Sequence, residues 1–308
     1  MEAIFYLSSD KETELHLVCW KPKQQPIGIV QLIHGMAEYI ERYTEFAEYL
    51  TRLGYLVVGH DHLGHGKSVD SKEPQHGYFG KGRTEQILIE DIDQVRQWTL
   101  GRYPELPYFM LGHSMGSFAL RNYLQSHHES VSGVVLMGTG TGSAAIPAAL
   151  SITTGLNKLQ PKKVNQWLDE LAFGSFSKHF PEESRFNWLS KNQLNVQQYE
   201  EDALTGFTFT NNGFHTLFQL IHKANRSGWA ERLPKNLSVL VISGEEDPVG
   251  GYGKGVRKVA KTLSSSGIKD VSLALFTELR HEILFEDEKE QVYGAISSWL
   301  ARQLKKNG

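Results

Sequence analysis

Apolar residues along the chain fall into short runs, and their spacing changes character twice. Ile4 to Ser8 and Glu14 to Trp20 read as two strands around a polar Ser9-Asp10-Lys11-Glu12 turn, which predicts a hairpin. From Ile27 onward, β-branched runs alternate with stretches of helical period: Ile27 to Ile33, Tyr55 to Gly59, Tyr108 to Leu111, Gly133 to Met137, Val239 to Ser243 and Val271 to Phe276. Between them, Tyr43, Phe46, Ala47, Leu50 and Leu53 lie on one helical face, with Gly54 placed to end that helix. Leu88, Ile92 and Val95 repeat the pattern, as do Val292, Ile296, Trp299, Leu300 and Leu304. Strands alternating with amphipathic helices predict an α/β fold with a mostly parallel sheet covered on both faces.

That alternation stops between about Thr141 and Lys235, where helical segments such as Lys163 to Leu171 and Gly213 to Lys223 take over. These 95 residues carry eight of the fifteen Phe and three of the six Trp. The concentration of rings predicts a helical cap over residues 141–235, inserted into a core made of residues 1–140 and 236–308. Most of the rings are expected to form a small core of the cap itself, leaving a few to face an apolar ligand.

Composition narrows the class. The chain has 308 residues, 40% of them hydrophobic and 22% charged, which describes a folded protein large enough to bury a substantial core. With 35 acidic against 32 basic residues the formal charge is −3, so nothing suggests a nucleic-acid partner. The single cysteine, Cys19, cannot form an internal disulfide and is expected to be a buried thiol. The first residues lack the basic start and apolar core of a secretory signal, and no run approaches 18 apolar residues, so the expected location is cytoplasmic.

The sharpest chemical signal is Gly112-His113-Ser114-Met115-Gly116, set between the apolar run Tyr108 to Leu111 and a helical stretch from Phe118 to Leu124. A serine on a tight strand-to-helix turn projects its hydroxyl from the sheet edge, and the flanking glycines let the backbone pass close. A hydroxyl of ordinary pKa needs a base, and the base needs a carboxylate to orient it. In a fold of this kind the chain order is serine, acid, histidine. Three carboxylates, Glu245, Glu246 and Asp247, follow the run Val239 to Ser243, and beyond them His281 is the one remaining histidine. Asp247 is favoured as the acid because Pro248 fixes the backbone after it. An oxyanion formed at such a serine needs two N–H donors, for which the amide of Met115 and that of Met36, in the turn His34-Gly35-Met36-Ala37-Glu38, are the natural choices.

With these residues in place the chain resembles the α/β-hydrolase superfamily, and within it the capped monoacylglycerol lipase and lysophospholipase branch. The likeness runs through His34 to Glu38, Arg42-Tyr43, Asp61 to Ser68, Gly112 to Gly116, Asp247 to Gly250, Arg280-His281-Glu282 and the cap segments Phe186 to Ser190 and Gly206 to Thr210. It implies an eight-stranded α/β-hydrolase fold with a helical cap. It also implies a catalytic triad of Ser114, Asp247 and His281, with oxyanion donors Met36 and Met115 and no cofactor or metal. The expected substrate is a carboxylic ester of a single-chain lipid, either a lysophospholipid or a monoacylglycerol. By the same resemblance Glu38, Arg42 and His113 belong near a glycerol site, and the cap is expected to touch a membrane surface transiently. The chain departs from the monoglyceride-cleaving pattern at Leu284, where a second histidine often stands.

Other readings compete. His60-Asp61-His62-Leu63-Gly64-His65 resembles a zinc-hydrolase motif, but Gly64 stands where that motif needs an aspartate. Gly66-Lys67-Ser68 ends like a phosphate loop, yet Asp61 occupies the place of its first glycine. The glycine-rich stretch Gly250 to Gly255 reads as a loop into a helix over Val256 to Leu263, with an anionic head group as its sharper alternative. A peptidase resembling the proline iminopeptidases, a small-ester carboxylesterase or a non-catalytic binding module also remain, and in the peptidase reading Glu38 would hold a substrate ammonium.

Overall fold

A computed structural model describes residues 1–70, 72–129 and 131–307. Eight strands form one sheet: β1 (Glu2–Leu7), β2 (Glu14–Trp20), β3 (Gly28–Ile33), β4 (Tyr55–His60), β5 (Tyr108–His113), β6 (Gly133–Met137), β7 (Ser238–Gly244) and β8 (Asp270–Phe276). Their spatial order is β1-β2-β4-β3-β5-β6-β7-β8. The first two pairings are antiparallel and the remaining five parallel. This is the expected α/β-hydrolase architecture, with the predicted hairpin as its first edge.

Burial explains why the strands read as continuous apolar runs. Every residue of β3 through β7 is buried, because helices cover both faces of the parallel part. On one face, α1 (Thr44–Arg52) and α9 (Lys289–Asn307) contribute Phe46, Leu50, Ile296 and Trp299 to a core shared with Val30, Val57 and Leu111. On the other, α2 (Thr84–Leu100), α3 (Met115–Tyr123) and α8 (Lys254–Ser265) contribute Ile92, Leu120 and Val259 to a second core. Leu53, expected on the buried face of α1, is instead exposed where Gly54 turns the chain at φ +96°.

Between β6 and β7 lie α4 (Ile146–Leu159), α5 (Gln166–Phe173), α6 (Gln193–Glu201) and α7 (Asn211–Asn225). The rings of this stretch do not all make a core of their own. Phe209, Phe214 and Phe218 merge with the apolar layer beneath α2 and α3, because α7 lies along α3. The insertion is therefore welded to the sheet on one side. No helix among the described residues is long and apolar enough to cross a membrane.

The parallel strands deliver the loops after β3, β5, β7 and β8 to the same edge, the usual place for a site in an open α/β sheet. Close approach there demands glycine. A Cβ on Gly116 would be driven into the carbonyl oxygens of Ile33 and His34 at the end of β3. Gly116→Ala should therefore lower the unfolding free energy by on the order of 1–3 kcal/mol, the cost of forcing extra volume against fixed backbone. Urea denaturation measures this, and an unchanged midpoint at unchanged slope would contradict the close approach.

Candidate active site

Ser114 sits between β5 and α3 with φ +52° and ψ −119°, a conformation that few residues other than glycine adopt. Local bonds hold it there. Its N–H donates to the carbonyl of Met137 at 2.9 Å, and its own carbonyl accepts from Ser117 Oγ at 2.6 Å. Gly112 has no room for a side chain because the backbone of Gly116 and Ser117 presses on it. The strained turn keeps Ser114 at the wall of a cavity instead of within the sheet.

Of the three carboxylates after β7, Asp247 alone turns inward and is wholly buried. Glu245 pairs with Arg257 at 2.9 Å, and Glu246 lies 3.8 Å from Arg280, both of them more than a third exposed. Asp247 Oδ2 accepts from Ser243 Oγ and Oδ1 from the Val249 N–H, each at 2.8 Å. His281 Nδ1 stands 2.9 Å from Oδ1, a close contact in which the ring N–H is not aimed along the line between the two atoms. Burial pushes the Asp247 carboxyl up, but His281 and the two donors outweigh it and hold the group below the usual carboxylate range. Ser114 and His281 face the same cavity, and the ring of His113, whose centroid lies 4.8 Å from that of His281, adjoins them.

The turn after β3 is organised from within. Glu38 Oε1 accepts from the Gly35 N–H at 2.6 Å, from Tyr43 OH at 2.9 Å and from His113 Nδ1 at 3.0 Å. Its Oε2 accepts from Arg42 Nη1 at 2.9 Å. Burial opposes ionisation of Glu38, yet His113, Arg42 and the Gly35 amide outweigh it and hold its carboxyl far below the ordinary range. The same pairing raises the pKa of His113 against the burial that would lower it. Met36, in this turn, and Met115, first residue of α3, both line the cavity beside Ser114.

Beneath the turn lie the histidines that resembled a zinc motif. One ring nitrogen each of His62 and His65, and both of the neighbouring His34, serve the backbone, while neither nitrogen of His60 has a partner among the described residues. His34 Nδ1 donates to the Gly35 carbonyl at 2.8 Å while its Nε2 accepts from the His62 N–H at 2.9 Å, so its tautomer follows from its partners. His62 Nε2 donates to the His34 carbonyl at 3.2 Å and His65 Nδ1 to the Leu63 carbonyl at 3.0 Å. Among the described residues no three His, Cys, Asp or Glu side chains are grouped to hold a metal ion.

The cavity measures about 730 Å³. Ser114, His281, Glu38 and His113 line it together with Phe173, Phe176, Phe186, Trp188, Phe207 and Leu217 from the insertion, and the charged Asp169, Glu170, Arg185 and Lys254 line it as well. Trp188 lies over His281, 5.1 Å between ring centroids. Arg42 stands one layer behind the cavity wall, where Nη1 and Nη2 clasp Glu282 at 2.7 and 2.9 Å. Leu284 is buried in the apolar core beside Tyr43 and does not line the cavity. Two members of this network had no role in the sequence reading: Tyr43, which donates to Glu38 and meets His113, and Glu282, which also accepts from Asn195 at 2.8 Å. The four-residue spacing of Glu38 and Arg42 was a signal for their pairing; nothing local marked Glu282 as Arg42's second partner.

Comparison with known proteins places this geometry in context. The family model described as Serine aminopeptidase, S33 matches residues 24–288. A monoglyceride lipase from Rattus norvegicus is 27% identical over 297 residues, covering 94% of this chain and 88% of the relative. A monoacylglycerol lipase from Mycolicibacterium smegmatis is 27% identical over 291 residues, covering 92% of each. Among solved structures, a thermostable carboxyl esterase from Bacillus coagulans superposes with a TM-score of 0.92 at 27% identity over 98% of each chain. A soluble variant of the Saccharomyces cerevisiae monoglyceride lipase, at 18% identity and a TM-score of 0.78 over 98% of this chain and 94% of its own, shares the fold.

Burial of the histidines beneath the turn sets how stability responds to acid. Burial alone pushes His60 down to about 3 from its ordinary 6.5, and burial with His62 nearby pushes His65 to about 3. The unfolded chain therefore binds protons that the folded chain refuses, so stability falls as pH drops through 6.5 toward 3. Depressed carboxyls such as Glu38 add to the loss only below their ordinary 4.5. The unfolding free energy should decline already between pH 6.5 and 4.5, and His60→Leu should flatten that part of the curve. Denaturation across that range in both proteins is the check. An equally steep slope in the variant would mean that His60 does not stay neutral in the fold.

Proposed function

The chain belongs to the Serine aminopeptidase, S33 family, and on that premise we propose that it is a serine hydrolase cleaving carboxylic esters of single-chain lipids, monoacylglycerols or lysophospholipids, through an acyl-enzyme on Ser114. The observation that carries this reading is the cavity, whose wall sets Ser114 and His281 among aromatic and aliphatic side chains of residues 141–235. That lining suits an ester attached to an apolar chain. The names of the relatives, monoglyceride lipase and monoacylglycerol lipase, support the same substrate class.

In the proposed cycle His281 takes the proton of Ser114 as Oγ adds to the ester carbonyl carbon. Asp247 keeps the imidazole oriented and offsets the charge it gains. The amides of Met36 and Met115 receive the oxyanion, each such donor being worth about 2.7–4 kcal/mol in the transition state. The C–O bond of the tetrahedral intermediate then breaks, and the departing alcohol takes the proton from His281. Water, deprotonated by the same imidazole, attacks the acyl-enzyme and releases the fatty acid and the serine hydroxyl. Residues 141–235 act as a cap over a core of residues 1–140 and 236–308, shielding the acyl chain from water.

Glu38 is ill suited to the part the peptidase reading gives it, although Asp169 and Glu170 also line the cavity. A free ammonium needs an unengaged carboxylate, but both oxygens of Glu38 are occupied by Gly35, Tyr43, His113 and Arg42. Breaking such a buried set to admit a substrate amine would leave charged groups without partners.

Two outcomes follow for the chemistry and the substrate. Ser114→Ala should abolish turnover while leaving the fold intact, and Asp247→Asn should lower kcat by on the order of 10⁴; full activity in the asparagine variant would transfer the acid's role to another carboxylate. Across p-nitrophenyl esters, kcat/KM should climb about fourfold per added methylene, the equivalent of ~0.8 kcal/mol of burial, from acetyl to at least octanoyl. Amino-acid p-nitroanilides should react at least about a hundredfold more slowly than these esters. A flat chain-length profile with faster anilide cleavage would favour the peptidase.

A further inference from the structure

Glu286 is fully buried and lies outside the cavity wall, so it touches no substrate, yet it gathers donors from two distant parts of the chain. Its Oε2 accepts from Ser190 Oγ at 2.6 Å, from the Lys191 N–H at 3.0 Å and from the Asn192 N–H at 3.2 Å. Its Oε1 accepts from the Arg280 N–H at 3.0 Å. The first three donors lead into α6 of the insertion, whose N-cap is Asn192. The fourth is the amide immediately before His281.

Other bonds tie the same two segments together. Arg280 Nη1 donates to the carbonyls of Asn187 at 2.7 Å and Ser190 at 3.1 Å, and the Glu282 N–H donates to the Leu189 carbonyl at 2.7 Å. Residues 280, 282 and 286 therefore alternate around His281 with residues 187, 189 and 190 of the insertion. Trp188, enclosed between those anchor points, is the ring that lies over His281.

From this arrangement we propose that Glu286 is a positioning residue for hydrolysis: its carboxylate locks the loop carrying His281 to residues 190–192 of the insertion, and so holds the imidazole between Ser114 and Asp247. On this account the stretch from 187 to 195 is a mount for the base and does not swing with any opening of the cap. Ser190 and three backbone amides lie within hydrogen-bond reach of its two oxygens, and a side-chain amide would turn its own N–H₂ against one of those N–H groups; burial meanwhile raises the carboxyl's pKa against the pull of these donors. Displacing a catalytic group by about 1 Å costs roughly a hundredfold in rate, so a loosened mount should be visible in turnover before it is visible in binding.

The proposal rests on His281 being the base, and the experiment separates the two ideas. Glu286→Gln, Ser190→Ala and His281→Ala are assayed with a p-nitrophenyl ester, each first shown to be folded by its thermal transition. His281→Ala should be inactive; if it retains turnover, the base has been misassigned. In a protein that does need His281, Glu286→Gln should lower kcat between about tenfold and a hundredfold with KM changed less than about twofold. Ser190→Ala, which removes one donor and keeps the backbone ones, should move kcat in the same direction by a smaller factor. A Glu286→Gln protein that melts earlier but turns over at the wild-type rate well below its melting temperature would overturn the proposal, since a purely structural carboxylate behaves that way. So would equal kcat in wild type and both variants.

Discussion

The site depends on carboxylates removed from water and compensated inside the protein. Asp247, Glu38, Glu282 and Glu286 are each at most 2% exposed. Leaving such charges buried and unpaired would cost several kcal/mol apiece, so each is tolerable only because donors surround it. Those donors come from loops far apart in sequence, and satisfying the charge fixes the loops. Asp247 meets His281, Glu38 clamps the turn after β3 and the ring beside Ser114, Glu282 binds that turn's Arg42 to α6, and Glu286 joins the His281 loop to the insertion.

The parallel sheet supplies the frame on which this can happen. Strands β3, β5, β7 and β8 run the same way, so their exits meet at one edge, and glycines allow the exits to approach. Gly244 at the end of β7 is pressed by the carbonyls of Leu279 and Arg280, which brings the loop bearing Asp247 against the loop bearing His281. Strain at Ser114 and close backbone contact at Gly112, Gly116 and Gly244 belong to one arrangement. Residues between β6 and β7 line the cavity with several rings and, through α7, extend the core.

Much of this was legible in the sequence because it is local. The strands of the parallel sheet were readable from continuous apolar runs, since both faces are covered, and their observed ends differ from the runs by no more than two residues. Gly112 to Gly116 announced itself because strand, tight turn and helix are written consecutively. His281 emerged by elimination from chain order. The buried pairings were not legible, because their partners are remote: Arg42 with Glu282 across 240 residues, Glu286 with Ser190 across 96. No periodicity or spacing encodes such contacts. The same holds for Phe209, Phe214 and Phe218, whose burial depends on where α7 lands and not on their own neighbours in sequence.

The central claim is that Ser114 becomes covalently acylated with His281 as its base and Asp247 behind it. Intact-protein and peptide mass spectrometry after a brief reaction with a long-chain p-nitrophenyl ester, quenched in acid, tests it most directly. The account predicts a single acyl adduct on the peptide containing Ser114 in the native protein and none when His281 is replaced by alanine. An adduct on another residue, or ester turnover with no acylated serine under conditions where Ser114→Ala turns over equally well, would contradict it.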